Sequence, residues 1–256
     1  MSAIDPALGG QAPRLRGLGH WGHQVRAGAV IPLISIVLAL GLTAGCGDSD
    51  PSTAEGRDAR PGERLVAALG DSITAGAPPW DPDPGVRSEI VDPDRRSQYG
   101  YWAERALRGT RFRNCGVSGE RTDEVATRLD GCAEGADVLI VQGGVNDIAQ
   151  GLPVDGAAAN LRAMVRRGKR LGLRVAVAEL LPWNGGYPGA ERPIRELNRR
   201  IAAIAREEGV TVLDWYEVLE DPRRPGRMRL RLTSDMAHPS VAGYRRMGEA
   251  VELPPP

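Results

Sequence analysis

Lysine, phenylalanine and histidine are nearly missing from this chain of 256 residues, which holds one Lys (Lys169), one Phe and three His. The arginine-for-lysine preference reads as coding bias and carries no chemistry. Charge of one sign is also missing: 33 basic residues face 33 acidic ones. No overall field therefore favours nucleic acid, and no motif of that kind occurs among the charged residues. Long apolar stretches are absent too. The mainly apolar run at 29–42 falls short of the roughly 20 residues that a helix needs to span a bilayer. There is no internal repeat. The length corresponds to one ordinary domain or two small ones once any cleaved segment is removed.

What is present begins near the N-terminus. Arg26 precedes the apolar run and "LTAGC" closes it at Cys46, the order of a basic region, an apolar region and a cleavage site in an export signal. The ending resembles a bacterial lipoprotein signal, in which Cys46 is lipidated and becomes the mature N-terminus. Thr43 stands where Leu is usual three residues before the cysteine, and Leu42 lies one place further back. A secretory peptide cleaved nearby, or an uncut anchor, uses the same residues. Residues 1–25 make an unusually long preface, and a true start near Val25 is expected. Residues 1–45 are thus expected to be a lipoprotein signal, 46–63 a polar tether rich in Gly, Pro, Asp and Ser, and 64–253 the folded domain. Losing residues 1–45 removes three Arg and one Asp from 33 of each sign, leaving 30 basic and 32 acidic residues. The expected location is the cell envelope, on a membrane through Cys46, with secretion as the alternative.

From Leu65 onward, short apolar runs alternate with helical patterns. Strands are expected at 65–69, 111–115, 137–142, 174–180 and 210–214. Three of these are continuous apolar runs, as in a parallel sheet covered on both faces. Helices are expected at 98–108, 121–130, 155–171 and 190–208. In the third, Leu161, Met164, Val165 and Leu171 share a face, and in the fourth Ile194, Leu197, Ile201 and Ile204 do. The alternation predicts right-handed crossovers and an α/β fold, a three-layer sandwich around a parallel sheet. Ligands in such sheets bind beyond the carboxyl ends of the strands. The polar, Gly-rich segments "GDSITAG", "GVSGERT", "GGVNDIAQG" and "LPWNGGYP" follow the first four strands in turn, so all four fall at that end. The first loop then runs on through residues 77–96, a length expected of a lid or binding wall.

Ser72 in "GDSITAG" is a candidate nucleophile, but a serine hydroxyl needs a base to take its proton. With His20 and His23 in the segment expected to be removed, His238 is left, and Asp235 precedes it by three residues. A carboxylate there can fix the imidazole tautomer and stabilise the imidazolium. An attacked acyl carbonyl also needs donors for its oxyanion, and Gly119, Asn146 and the Ser72 N–H can supply them. The other reading of "GGVND" is a turn whose Asn and Asp cap a helix.

Taken together and in order, "GDSIT", "NCGVSG", "GGVND" and "DMAHP" resemble the signature blocks of the SGNH hydrolase superfamily, the GDSL esterases and lipases, over residues 65–250. The resemblance implies Ser72 as nucleophile, Gly119 and Asn146 as oxyanion donors with the Ser72 amide, and His238 as general base oriented by Asp235. It also implies a flavodoxin-like sandwich with a five-stranded parallel sheet in the order 2-1-3-4-5, and it is compatible with a monomer. Ile73 stands where the family name has Leu, a conservative change. The implied activity is hydrolysis of carboxylic esters through an acyl-enzyme on Ser72. Transfer of the acyl group to a glycan hydroxyl uses the same residues, and a catalytically silent, carbohydrate-binding surface lipoprotein is the reading outside enzymes.

No cofactor and no metal are expected, because one histidine and two non-lipidated cysteines do not compose a structural zinc site. Asp71 and Asp147 are expected to hold loop backbone. Cys115 and Cys132 are expected to be free buried thiols: a helix of about 10 residues between them should carry the chain roughly 15 Å away at 1.5 Å per residue, beyond disulfide reach. Trp80, Trp183 and Tyr187 either wall an acyl or alcohol pocket or pack as rigid-turn aromatics. Trp215 and Tyr216, after the fifth strand, are weaker candidates for the same wall. Small polar loops favour short acyl groups, such as acetyl on a glycan, with lysophospholipid or thioester substrates as alternatives.

Overall fold

Each of the five strands expected from Leu65 onward forms in a computed structural model that describes residues 62–76, 84–89, 94–183 and 189–255. The strands are β1 (Arg64–Gly70), β2 (Thr110–Gly116), β3 (Val138–Val141), β4 (Arg174–Ala178) and β5 (Thr211–Leu213). All pair in parallel, in the order β2-β1-β3-β4-β5. The described residues lie in one unit, Pro51–Pro256. The alternation of strands and helices thus anticipated the fold class, and the family resemblance implied this strand order.

The helices follow as α1 (Ser72–Ala75), α2 (Pro84–Glu89), α3 (Tyr99–Ala106), α4 (Thr122–Thr127), α5 (Leu129–Ala133), α6 (Val145–Ala149), α7 (Val154–Arg170), α8 (Glu191–Glu208), α9 (Trp215–Leu219) and α10 (Val241–Glu249). A short antiparallel pair, β6 (Glu220–Asp221) and β7 (Arg224–Met228), sits between α9 and α10.

Alternation along each strand divides its side chains between two cores. Ala67 and Leu69 of β1 join Leu139, Val141, Val175 and Val177 beneath α4, α5, α7 and α8. Val66 and Ala68 point the other way and join Ile140, Ala176 and Leu213 beneath α3, α9 and α10. Burial on both faces is why β1, β3 and β4 carry no polar positions in their interiors, whereas β2, at the edge of the sheet, carries Arg111, Arg113 and Asn114. Trp215 is fully buried in the second core, its ring 4.6 Å from that of Tyr99. Tyr216 packs in the first core, with the Arg195 guanidinium 5.2 Å from its ring. Neither lines the cavity described below.

Two features depart from expectation. The segment expected as one helix at 121–130 is broken at Arg128, whose φ of −97° and ψ near zero depart from helical values and separate α4 from α5. The break turns the chain back beside β2, so Cys115 and Cys132 come to a Cα separation of 6.0 Å and form a disulfide. The free-thiol expectation fails because it assumed a straight helix leading away from the strand. The second feature is α10, whose sequence "VAGYRRMGE" carries two glycines that weaken any helical pattern. At Gly248 a Cβ would lie 2.4 Å from the Tyr99 carbonyl oxygen. That glycine is what lets α10 lie directly on α3.

Candidate active site

With β2 and β3 on opposite sides of β1, the carboxyl end of β1 is where the chain direction of the crossovers reverses. This is the position at which open α/β sheets bind ligands. Gly70 ends the strand, Asp71 leaves it, and Ser72 begins α1. The turn is held by the residues around it. Asp71 accepts from the Ile73 amide through Oδ1 at 2.9 Å, and its carbonyl accepts from the amides of Thr74 and Ala75. Gln142, directly after β3, accepts at Oε1 from the Asp71 amide (3.1 Å) and from Thr74 Oγ1 (2.9 Å). The nucleophile's turn is thereby fixed to the neighbouring strand. Gly116 sets how close β2 comes: a Cβ there would lie 2.1 Å from the Ala75 amide nitrogen.

His238 arrives from the loop before α10. Its Nε2 lies 3.0 Å from Ser72 Oγ, and its Nδ1 lies 2.7 Å from Asp235 Oδ2. The other Asp235 oxygen accepts from the amides of Ala237 (2.9 Å) and His238 (2.6 Å). Partial burial raises the Asp235 carboxyl, but these three hydrogen bonds outweigh it and hold the group below its ordinary value. The loop closes on itself as well, because the His238 carbonyl accepts from Thr233 Oγ1 at 2.8 Å and from the Ser234 amide at 3.0 Å. Met236 pays for the tight reversal with a φ of 68°, a left-handed conformation unusual for a residue with a side chain.

Asn146 is the second residue of α6 and lies beside the site. Its Nδ2 donates one hydrogen to the Glu120 carbonyl at 2.8 Å, which leaves the second amide hydrogen for another acceptor. Gly119, with φ of 85°, precedes that carbonyl in the β2–α4 loop. Asp147, one residue on, is buried and accepts from the Thr122 amide (2.9 Å) and Thr122 Oγ1 (2.7 Å). Asp71 thus binds the backbone of its own turn, and Asp147 that of the neighbouring β2–α4 segment. Burial of Asp71 raises its carboxyl to about 6, against the lowering by its hydrogen bonds and by nearby His238.

Among the described residues, a cavity of about 80 Å³ opens beside Ser72 and His238. Its apolar wall is Ile73, Val145, Leu180, Leu181, Trp183 and Ala237, and Gln142 and Asn146 add polar edges. Leu180 is held in place by Asn198 of α8, which accepts from the Leu180 amide at 2.8 Å and donates to its carbonyl at 3.0 Å. Of the three aromatics expected near the site, Trp183 lines the cavity. Trp80, Tyr187 and the lipidation candidate Cys46 lie outside the described residues, as does most of the long first loop. Gln142 is the site residue that sequence reading missed. Its signal was a single polar residue ending the apolar run "VLIVQGG".

Comparison with known proteins bears on the family and the fold. A family model described as GDSL-like lipase/acylhydrolase matches residues 68–246. A protein of the G-D-S-L lipolytic family from Desulfitobacterium hafniense DCB-2 superposes with a TM-score of 0.60 at 25% identity, covering 73% of this chain and 97% of its own. A member of the same family from Veillonella parvula DSM 2008 gives 0.59 at 20% identity, with 73% and 95% covered. Axe2, an acetylxylan esterase from Geobacillus stearothermophilus, gives 0.59 at 22% identity, with 74% and 92% covered. No curated protein sequence matches the chain.

Proposed function

Since this chain belongs to the GDSL-like lipase/acylhydrolase family, we propose that it is a serine esterase in which Ser72 forms an acyl-enzyme with His238 as general base. The observation that carries the reading is the unbroken relay from Ser72 Oγ to His238 Nε2 (3.0 Å) and from His238 Nδ1 to Asp235 (2.7 Å). Ser72 Oγ attacks the ester carbonyl carbon while Nε2 takes its proton, and Asp235 holds the Nδ1 tautomer and the imidazolium. The oxyanion that forms is met by the Ser72 and Gly119 amides and by the free Asn146 amide hydrogen. His238 then passes its proton to the leaving alkoxide. Water, deprotonated by the same imidazole, attacks the acyl-enzyme and releases the carboxylic acid.

The cavity supports a short acyl group. An apolar cavity of about 150 Å³ holds benzene, so the 80 Å³ here suits an acyl chain of about two to four carbons. Acetyl esters of glycans are the favoured class, as the likeness to an acetylxylan esterase supports, with lysophospholipids and thioesters as less favoured classes. Transfer to a glycan hydroxyl would use the same relay, and product analysis with an acceptor present separates the two. A silent binding protein is disfavoured because the relay is intact. We also place the chain in the cell envelope as a lipoprotein anchored through Cys46. The Cys115–Cys132 disulfide supports an oxidising compartment, and metabolic labelling with radioactive palmitate tests the anchor.

The test of the enzyme reading is a series of p-nitrophenyl esters from acetyl to palmitoyl. Turnover should peak at the short end and fall to background in Ser72→Ala. Wild-type turnover by purified Ser72→Ala would overturn the assignment.

A further inference from the structure

We propose that Arg128 is a positioning residue for the oxyanion side of the site, tying the nucleophile's strand to the loop that carries Gly119. The inference rests on the reading of Gly119 and Asn146 as oxyanion donors. Arg128 stands at the break between α4 and α5, and its guanidinium reaches three segments at once. Nη1 donates to the Cys115 carbonyl near the end of β2 at 2.7 Å. Nη2 donates to the Gly70 carbonyl, two residues before Ser72, at 3.2 Å. Nε and Nη2 grip the Glu120 carboxylate, Nε at 3.1 and 3.0 Å from its two oxygens and Nη2 at 2.6 Å from one of them. Glu120 follows Gly119, and its carbonyl is the acceptor that orients Asn146 Nδ2.

Two further observations separate this pair from the solvated ion pairs of the surface. The side chains of Arg128 and Glu120 are 25% and 19% exposed, whereas those of Arg167 and Asp130 are 43% and 64% exposed. The disulfide then closes the segment that holds Gly119, Glu120 and Arg128, joining Cys115 at the strand end to Cys132 in the helix that Arg128 precedes. A planar fork with five donors can serve two carbonyls and a carboxylate together; a lysine ammonium, a point charge with three donors, cannot hold that geometry. Losing the fork should let the Gly119–Glu120 backbone and the Asn146 amide drift from the oxyanion. Misplacement of this kind lowers the rate of the chemical step without weakening substrate binding.

The experiment measures kcat, KM and the rate of fluorophosphonate labelling at Ser72 for wild type, Arg128→Lys, Asn146→Ala and the double variant, with p-nitrophenyl acetate as substrate. Arg128→Lys should lower kcat about 10- to 100-fold, with KM nearly unchanged and labelling slowed in step. In the Asn146→Ala background the same change should cost less than about threefold, because residues that act as a unit do not add. Losses that multiply in the double variant, an unchanged kcat, or a raised KM with kcat intact would each overturn the proposal. Should Arg128→Lys not fold, Glu120→Gln replaces it in the same cycle, with the same outcomes. Failure of the underlying reading shows separately, as wild-type turnover in Ser72→Ala or Asn146→Ala.

Discussion

Ser72 and His238 meet at 3.0 Å but are held by opposite means. The Ser72 side is built from distant parts of the chain. Gln142 reaches it from the end of β3, Gly116 admits β2, and Arg128 and the disulfide brace the loop beside it. Asp71 at its base is fully buried. The His238 side is built from its own neighbours: hydrogen bonds among Thr233, Ser234, Asp235, Ala237 and His238 close a loop whose Asp235 side chain is 53% exposed. A nucleophile with a covalent partner to orient is thus fixed by the sheet, while the base that must exchange protons with substrate and water is fixed by a short loop at the surface. Stability and function should therefore separate along this line.

The largest effect that would break the contrast is expected at Asp235. Asn in its place keeps the oxygen that accepts from the Ala237 and His238 amides but offers Nδ1 the wrong partner. For a buried triad carboxylate the same change costs about 10⁴-fold. Solvent screening of this exposed one makes about 10³-fold in kcat the expectation. Thermal unfolding should be nearly unchanged, and a large fall in Tm would show that the loop is structural after all.

Next comes the disulfide on the buried side. Its partners are 17 residues apart, and opening a loop of that size should cost about 3 kcal/mol of stability. Denaturant titration with and without reductant reads this directly, and kcat at 25 °C should fall less than in Arg128→Lys. Equal midpoints would remove the disulfide from the brace.

Smallest, and confined to pH, is Asp71. Its folded value is raised from the ordinary 3.8 to about 6, so the folded protein holds a proton that the unfolded chain has lost. That contribution to stability is full below about pH 4 and is lost as pH rises toward 6. Asp71→Asn keeps the oxygen facing the Ile73 amide and removes the charge. Its stability should exceed that of wild type at pH 8 by on the order of 2 kcal/mol, with the two converging near pH 4. Asp235 is lowered, so its contribution has the opposite sign, present above the ordinary carboxylate range and lost as pH falls. A wild-type stability difference independent of pH would contradict the assignment at Asp71.

The same contrast explains what could be read from sequence. The sheet was legible because strands such as "DVLIVQ" are apolar on both faces, and the Asp235–His238 contact was legible because three residues of separation suffice to make it. The contact between His238 and Ser72 spans 166 residues; it was reached by elimination among three histidines and by likeness to a family. Arg128 left no trace, because a half-buried arginine inside a helical pattern looks like any other in a chain whose cations are nearly all arginine. The disulfide was misjudged for the same reason: the break at Arg128 depends on carbonyls of β1 and β2 that no local pattern shows. Gly243 and Gly248 hid α10, since they serve close packing rather than helix propensity.

The central claim is that His238 activates Ser72 toward acyl groups. It is tested most directly by incubating the folded protein with a fluorophosphonate and mapping the adduct by peptide mass spectrometry. The account predicts one phosphonyl group, on the peptide containing Ser72, formed quickly in wild type and lost in His238→Ala. An adduct on another residue, or labelling of Ser72 at the same rate in His238→Ala, would contradict it.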